Sequence, residues 1–481
     1  MFTWQHLSKI MNDNKLLNIL RTFNQVEFRR LNQYITCGYY TKDKHILHLA
    51  ALLMENFPNL EGVVFERNRL YAAIYKEETL DMPKLRRLLS NFTLLVEDFL
   101  VTEKLDDKKA IKSGVLKQVY QQRALDNYYE HLLVLEEIDL KETPYRNAEH
   151  YYRQYRLHDE QYQFYSGKQN RSLQLQPQNV LDSLEVFYLV SKLRITCEIV
   201  NRGNILNTSP DGQMVQNLLQ TTAHEKFAAV PPIAIYRQII LCLTEPEQEA
   251  HYQQLKDLLK DAQSIFEPNE LRDVYALAQN YCIRKINTGR SEYLQELFEL
   301  YKALLDNGLL TEGGHLSQFH YKNMVQVALR LKNFDWCHEF IENYAANLNP
   351  AEKTNAYTYN LAYYYFSKKD YNKSFKLLNR IEFTDVFYFL DSRALLLKTY
   401  YELDEIDPLL TLLDTFQSNL KRNKRISTLQ KTIYLNLVKV VRKLVKLPPS
   451  NKAQREKLNA YVTNNHQIAD RVWVLTKLGE L

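Results

Sequence analysis

The residue types that bind metals or act as nucleophiles are sparse in this sequence and poorly spaced. Cys37 precedes His45 and His48, which lie three residues apart, but no fourth zinc ligand stands near them in the sequence. Cys337 and His338 are adjacent, so on a helix they would point about 100° apart, unlike a nucleophile and its base. Phosphate loops of the GxxxxGK(S/T) or GxGxxG type are absent from the sequence. We therefore predict no catalytic residue, no cofactor and no metal site, and we expect a protein that is not an enzyme.

The most concentrated basic feature is the stretch STLQKTIYLNLVKVVRKLVKL, residues 427–447. Its cations share about a third of the circumference of a predicted helix, and they are Lys431, Lys439, Arg442, Lys443 and Lys446. A basic amphipathic helix can bind RNA phosphates, an acidic protein or an anionic membrane surface. It can also be solvated, or be matched by the acidic residues that precede it between 382 and 414. All of these interpretations stay open at this point.

Tyrosine and arginine are dense in HYYRQYRLHDEQYQFY, residues 150–165, as they would be in a single-strand nucleic-acid platform. On a helix the aromatic residues fall on one side, at Tyr151, Tyr155, His158, Tyr162 and Tyr165. The arginines of this region fall on the opposite side, together with Glu149 and Glu160. The rings and the cations lie on opposite sides of the helix, and acidic residues lie among the cations. We therefore predict that the aromatic side packs into the core.

A second nucleic-acid hypothesis concerns LYAAIYKEETLDMPKLRRLLSNF, residues 70–92, which reads as helix, break and helix. Lys84, Arg86 and Arg87 would then lie near the start of a recognition helix. The second helix continues with apolar residues for about twenty positions, which is more typical of a helix packed in a bundle than of an exposed recognition helix. DNA binding by this element is kept as an alternative.

Composition indicates an all-α protein. The 481 residues include 11 glycines and 13 prolines, too few for the hairpin turns that sheets require. Helical hydrophobic periodicity runs from end to end, interrupted by polar aperiodic stretches at residues 166–179 and 202–213 that we predict to be loops. The net charge is only +5, and no apolar run reaches the ~20 residues of a membrane span. Five scattered cysteines without a CxxC pair favour a reducing, cytoplasmic setting.

An internal repeat is present in the second half of the chain. In TYNLAYYYFSKKDYNKSFKLLNRI, eight positions recur at fixed spacing, namely Thr358, Leu361, Ala362, Tyr365, Tyr371, Ser374, Leu378 and Ile381. The spacing and residue types resemble the tetratricopeptide repeat, with small residues where two antiparallel helices meet and large ones between pairs. Looser copies begin at Tyr321 and at Arg393, where Pro408 is expected to delay the second helix, and another lies near YALAQNYCIRKINTGRSEYLQELF. The resemblance covers about residues 271–420 and implies a superhelix of helical hairpins with a concave face that binds proteins or peptides.

These patterns predict four sections of the chain. Residues 1–110 form an N-terminal helical bundle, and residues 111–215 form long connecting helices with polar loops. Residues 216–447 form an α-α solenoid of TPR-like hairpins, and residues 448–481 form a C-terminal capping helix. Each hairpin leaves an apolar face that only the next hairpin can cover, so the sections should be continuous stacks of helices.

The function predicted from this fold is a non-catalytic cytoplasmic adaptor or scaffold that binds a protein or peptide segment in the concave face. In such arrays the first helix of each pair lines the groove, so we predict contacts at Tyr321, Asn323, Tyr357 and Asn360. The alternative is a nucleic-acid-associated or regulatory protein that uses the N-terminal helices or the basic face of 431–446. The two classes differ in their salt response, which is steep where phosphate contacts dominate.

Overall fold

The computed structural model of the chain describes residues 14–61, 63–77, 79–106, 109–167, 177–206, 211–381, 386–448, 451–465 and 467–481. Within these ranges the chain is all-α, as predicted, and its regular strands are two residues long. It divides into two compact units, Met1–Glu142 and Thr143–Leu481, which we call the N-terminal unit and the solenoid unit. The boundary lies inside the section predicted as connecting helices, and the four-section division itself stays a prediction. No helix among the described residues is long and apolar enough to cross a membrane.

The N-terminal unit is built around one long helix. Its helices are α1 (Lys15–Leu20), α2 (Gln25–Thr36), α3 (Lys44–Asn56), α4 (Arg67–Tyr75), α5 (Met82–Asp106), α6 (Lys109–Gln122) and α7 (Asp126–Glu142), with a 3-10 turn at Val63–Phe65. Asn24 caps α2 by accepting from the backbone N–H groups of Val26 and Glu27, and Glu27 accepts from the Asn24 N–H in return. Buried side chains of α5, such as Phe92 and Val96, share one core with those of α1 to α4.

The solenoid unit is a run of helical hairpins. Its helices are α8 (Ala148–Gly167), α9 (Pro177–Leu206), α10 (Gly212–Thr222), α11 (Glu225–Ala228), α12 (Pro231–Thr244), α13 (Glu249–Leu259), α14 (Pro268–Asn287), α15 (Tyr293–Asp306), α16 (Gln318–Arg330), α17 (Phe334–Tyr344), α18 (Pro350–Ser367), α19 (Tyr371–Leu378), α20 (Val386–Glu402), α21 (Ile406–Arg422), α22 (Thr428–Val445), α23 (Lys452–Asn464) and α24 (Arg471–Glu480). Short 3-10 turns occur at Ala262–Ser264 and Ala345–Asn347. Strands β1 (Thr311–Glu312) and β2 (His315–Leu316) form a small antiparallel hairpin between α15 and α16.

Successive hairpins stack so that each covers the apolar face of the one before. The pairs are α12/α13, α14/α15, α16/α17, α18/α19 and α20/α21, and the second helix of a pair generally packs on the first helix of the next. The first helices of several neighbouring pairs also pack side by side, whereas the second helices do not make comparable contact with one another. The array therefore curves toward its first helices, and we call the surface that they form the inner face.

Most of the packing positions predicted from residues 358–381 are buried, whereas Tyr365 and Tyr371 are only partly buried. Ala362 and Ser374, both 0% exposed, lie in the closely packed pair α18/α19, where small side chains let the two helices approach. Leu378 and Leu361 are buried as well. The expectation that Pro408 delays its helix is wrong: α21 begins at Ile406 and contains Pro408 in its first turn. Proline fits there because N–H groups of the first turn have no intrahelical acceptor.

Two other local predictions need correction. In α8 the fully buried residues are His150 and Leu157, whereas the predicted aromatic stripe is only partly buried and Tyr162 is 39% exposed. The helix lies along α9, and its core side runs through His150, Tyr151 and Leu157, so it includes only the beginning of the predicted stripe. Most of the predicted loops, residues 168–176 and 207–210, lie outside the described residues, but α9 starts at Pro177 and runs to Leu206, so their flanks are helical.

Candidate functional site

The four groove residues predicted from the repeat do not come together on an open surface. Tyr321 is 0% exposed, and its hydroxyl donates to the Ile341 carbonyl at 2.7 Å, which ties α16 to α17. Asn360 is also 0% exposed and donates to the Ala356 carbonyl of its own helix at 2.8 Å. These two side chains are therefore unavailable to a partner, and the prediction that they line a groove is wrong.

The other two predicted residues are partly exposed. Asn323 hydrogen-bonds the buried Tyr301 hydroxyl. Tyr357 donates to the Glu342 carboxylate at 2.9 Å, and burial together with that carboxylate raises the pKa of Tyr357 to about 12. Both side chains thus hold neighbouring elements in place and retain only part of their surface for a ligand.

The physical reason for the error is the position of α18 in the stack. This helix contacts α16, α17, α19 and α20, so the five consecutive residues 358–362 are all buried. Inside such a stack, polar residues of a first helix do not automatically face the groove. Burial is decided by how many neighbours surround the helix, which repeat spacing alone does not state.

The inner face contains a cleft at α14 and α16. α12 packs on α14 and α16 packs on α18, but α14 and α16 are not in comparable contact. The hairpin β1–β2 lies here, and Arg272 of α14 donates to the Thr311 carbonyl of β1 at 2.9 Å. The resulting cleft has a volume of about 360 Å³ and is lined by Asn269, Arg272, Asp273, Ala276, Gln279, Leu304, Leu309, Leu310 and His320. We call this set the α14 cleft.

Gln279 gives the α14 cleft an unused hydrogen-bond donor. The side chain is 6% exposed, and its Nε2 atom is buried without a hydrogen-bond partner among the described residues. Buried amide groups are nearly always paired, and leaving a donor unsatisfied costs about 1–3 kcal/mol. A ligand that brings a carbonyl or carboxylate oxygen to Nε2 would recover that free energy.

The α14 cleft combines this donor with an apolar floor and a mixed rim. Leu309 and Leu310 are buried, while the Asp273 and Arg272 side chains stand at the rim. The pKa of Asp273 is raised by desolvation and by the Glu198 carboxylate of α9, with Arg272 acting in the opposite direction. A segment with an apolar side chain, a backbone carbonyl and a polar neighbour matches these surroundings.

Gln279 is not among the residues predicted from the sequence, although a sequence feature points to it. The residue lies in YALAQNYC, the loosest of the predicted repeat copies, and it is a polar residue on a first helix. What the spacing could not show is that the next first helix stands away from α14 and leaves the amide without a partner.

Beyond α16 the inner face is closed by charged and aromatic side chains. Lys322 of α16 pairs with Asp391 of α20 at 2.7 Å, and Tyr434 of α22 donates to the same carboxylate at 2.7 Å. The two charged side chains are 12% and 22% exposed. This part of the inner face is therefore filled by the chain itself, in contrast to the α14 cleft.

The predicted polyanion residues all lie on α22 or at its end, but their surroundings differ. Arg442 pairs with Asp414 at 2.8 Å, so part of the face is matched internally. Lys439 and Lys443 stand over the same ring, with their Nζ atoms 5.6 Å and 5.9 Å from the centroid of Tyr461. Neither has an ion-pair partner among the described residues. Lys431 is partly exposed and Lys446 is exposed.

The basic residues near the start of α5 are only partly free. Lys84 pairs with Glu77 at 3.0 Å and stands 4.3 Å from the centroid of Tyr75. Arg86 and Arg87 are exposed, and Arg86 lines a cleft of about 470 Å³ that also contains Lys15 and Arg67. Lys15 is paired with Glu97 at 2.5 Å on the same cleft. Lys84 and Lys15 are therefore matched within the chain, while Arg86 and Arg87 remain exposed.

Side chains that could hold a metal do not cluster in the part of the chain that the structure describes, where no group of three His, Cys, Asp or Glu comes together. His45 lies against the ring of Tyr75, and exposed Cys37 donates to the Tyr34 carbonyl. Cys337 is buried, and burial raises its pKa to about 12, which disfavours the thiolate form. All five cysteines are free thiols.

Comparisons of the chain with protein-family models, with characterised proteins and with solved structures find no match.

Proposed function

We propose that the protein is a non-catalytic adaptor that binds a short segment of another protein in the α14 cleft. The observation that carries this proposal is Gln279, a buried lining residue of the α14 cleft whose Nε2 atom has no hydrogen-bond partner among the described residues. A peptide carbonyl is the most general acceptor for such a donor, and a preformed cleft limits the entropy lost on binding. The ligand class is therefore a peptide segment with an apolar side chain beside an accessible carbonyl.

The repeat resemblance supports the same proposal at the level of the fold. We infer that the hairpins α14/α15 to α20/α21 are degenerate tetratricopeptide-like units; the small positions Ala328, Ala362 and Ser374 are buried, which supports this, while several large positions are only partly buried. Helical arrays of this kind present rigid first helices to a ligand. A cytoplasmic setting belongs to the proposal and is supported by the five free thiols.

A selection from a random peptide library, followed by titration calorimetry, tests the proposal. Peptides selected on the full chain should share an apolar residue, and Ala276→Arg should weaken their binding at least about tenfold because the new side chain fills the cleft. Gln279→Leu should weaken binding by about five- to tenfold, since it removes the donor but keeps the volume.

The matched control is Ala51→Arg, which adds the same side chain at an exposed mid-helix position of α3 in the N-terminal unit. Its binding should equal that of the unaltered chain. Selected peptides that bind the Ala276→Arg and Ala51→Arg chains equally well would exclude the α14 cleft as the binding site.

A second candidate function is supported by Lys439 and Lys443, which both stand within 6 Å of the Tyr461 ring centroid and have no ion-pair partner among the described residues. Two like charges over one ring favour an anion, so we propose RNA or another phosphate polymer as the ligand of this face. Retention on immobilised RNA should then fall steeply as the salt concentration rises. The triple change of Lys439, Arg442 and Lys443 to Glu should reduce the log–log salt slope by about two to three.

The control carries the same charge change on another surface, with exposed Arg29, Lys42 and Lys44 of the N-terminal unit changed to Glu. If this control chain and the α22 triple variant are retained alike, the basic face of α22 does not bind the polymer, and the cations of α22 are solvated or matched within the chain.

A further inference from the structure

The last described helix, α24, packs on α22 and α23, and its side chains also reach α20 of the inner face. After α23 the chain turns back: the Ala469 N–H donates to the Ile433 carbonyl of α22, and Asn436 donates to the Gln467 carbonyl at 2.9 Å. Side-chain partners of α24 and of its N-cap Asp470 are also found on α20, more than 65 residues away in the sequence, and Arg471 donates to the Val462 carbonyl of α23 at 2.8 Å. A helix that merely seals an apolar end would have no need of these polar contacts.

Two buried charges of α20 find their partners in α24 and its N-cap. Lys398, whose side chain is 5% exposed, donates to Asp470 at 2.7 Å and stands over the rings of Tyr363 and Phe366 of α18. Glu402, whose side chain is 10% exposed, accepts from Trp473 Nε1 and from Lys477 Nζ, both at 2.8 Å. These side chains give the face formed by α18, α20 and α22 a fixed polar pattern of one cation and one anion.

The contacts of α24 follow the spacing of one helical face. Asp470 is followed by Trp473 and Val474, and then by Lys477 and Leu478 one turn later. Val474 is 0% exposed and Leu478 is 1% exposed, while the Trp473 ring meets Tyr401 edge-on at 5.4 Å. Spacing of this kind is how an amphipathic helix anchors itself in a groove. At ten residues, α24 is too short to be stably helical in water on its own, so its order depends on docking.

We propose that the face formed by α18, α20 and α22 is a docking site for a partner helix with an acid, a tryptophan three residues on and a lysine four residues further. In this structure α24 occupies the site as an intramolecular ligand. A partner helix with the same pattern displaces it, and covalent linkage sets how strongly α24 competes. The site is separate from the α14 cleft, and the proposal does not rest on peptide binding there.

Fluorescence anisotropy with a labelled peptide of residues 467–481 tests the proposal on the full chain. In the release variant, Trp473→Ala and Lys477→Ala remove the anchors of the intramolecular helix. The peptide should bind the release variant at least about tenfold more tightly than the unaltered chain, in which the site is occupied.

A charge exchange tests whether peptide binding depends on the proposed pairing of Lys477 with Glu402. Adding Glu402→Lys to the release variant should abolish binding of the native peptide and restore binding of a peptide that carries Lys477→Glu. Equal binding of the peptide with and without the release changes would overturn the proposal. Peptide binding that does not depend on the residue at position 402 would also overturn the proposal.

Hydrogen exchange on the unaltered chain keeps the proposal testable even where a variant folds poorly. A displaceable α24 opens locally, so its amides should exchange at least about tenfold faster than those of α20 and α22. If α24 exchanges as slowly as α20 and α22, or if the release variant loses its cooperative helical unfolding transition, α24 is a structural cap and the proposal fails.

Discussion

At the scale of single residues, His150 links burial to pH. The side chain is 8% exposed in α8, and its Nδ1 atom has no hydrogen-bond partner among the described residues. Burial, together with the positive charges of Arg146 and Arg153, lowers the pKa of His150 to about 4. In the unfolded chain the pKa is about 6.5, so folding below that pH must release a proton.

This shift predicts how stability depends on pH. The contribution of His150 to the free energy of unfolding is complete above about pH 6.5. It declines by about 3 kcal/mol in total as the pH falls toward 4. His150→Leu should remove that slope, because leucine does not titrate. Urea unfolding at several pH values between about 7 and 4 would measure it, and identical slopes for both chains would show that His150 keeps an ordinary pKa.

The ion pair between Lys322 and Asp391 carries a second prediction at this scale. Asp391→Asn should lower the free energy of unfolding by about 3–5 kcal/mol, because it leaves the buried lysine without a counter-charge. The control is Asp257→Asn, which opens the exposed pair of Asp257 with Lys260, where both side chains are about 70% exposed, and should cost less than about 1 kcal/mol. Equal losses in urea unfolding would show that the inner pair is effectively solvated.

At the scale of elements, the small residues of the repeat determine how closely the paired helices approach. Ala362→Leu should destabilise the solenoid unit by about 1–3 kcal/mol, since the added methyl groups cannot fit in the closely packed pair α18/α19. Ala351→Leu in the exposed first turn of the same helix should change the free energy of unfolding by less than about 0.5 kcal/mol. A chemical denaturation series compares the two, and a tolerated Ala362→Leu would mean that the pair is loosely packed.

The elements also show how far sequence patterns reach. Helical periodicity predicts the fold class, and the positions of Leu361, Ala362, Ser374 and Leu378 are buried as the repeat requires. The same patterns misplace the core side of α8 and the start of α21. Periodicity states that a helix has an apolar side, but the neighbours of the helix decide how wide that side is and in which direction it is turned.

At the scale of the whole molecule, two separate cores predict two folding units. Apolar residues between Leu16 and Phe99 form one core, and those between Leu189 and Leu478 form the other. A fragment spanning Thr143–Leu481 should therefore keep the helical circular dichroism and cooperative unfolding of that part of the chain. A fragment of residues 143–330 should not, because it leaves the apolar face of α16 uncovered. Loss of cooperative unfolding in the longer fragment would show that the two cores depend on each other.

The sequence by itself determined the all-α class and the burial of Leu361, Ala362, Ser374 and Leu378 in one helical hairpin, because helix formation and local packing follow from the spacing of apolar and small side chains. The tertiary structure alone decided where a ligand can be received. The Nε2 atom of Gln279 has no partner among the described residues because α14 and α16 stand apart. Tyr321 and Asn360 are buried in the core and cannot contact a ligand. Lys398 pairs with Asp470, and Glu402 pairs with Lys477, across more than seventy residues of sequence. Burial and pairing at such positions depend on elements that are distant in sequence, and no local pattern encodes that proximity.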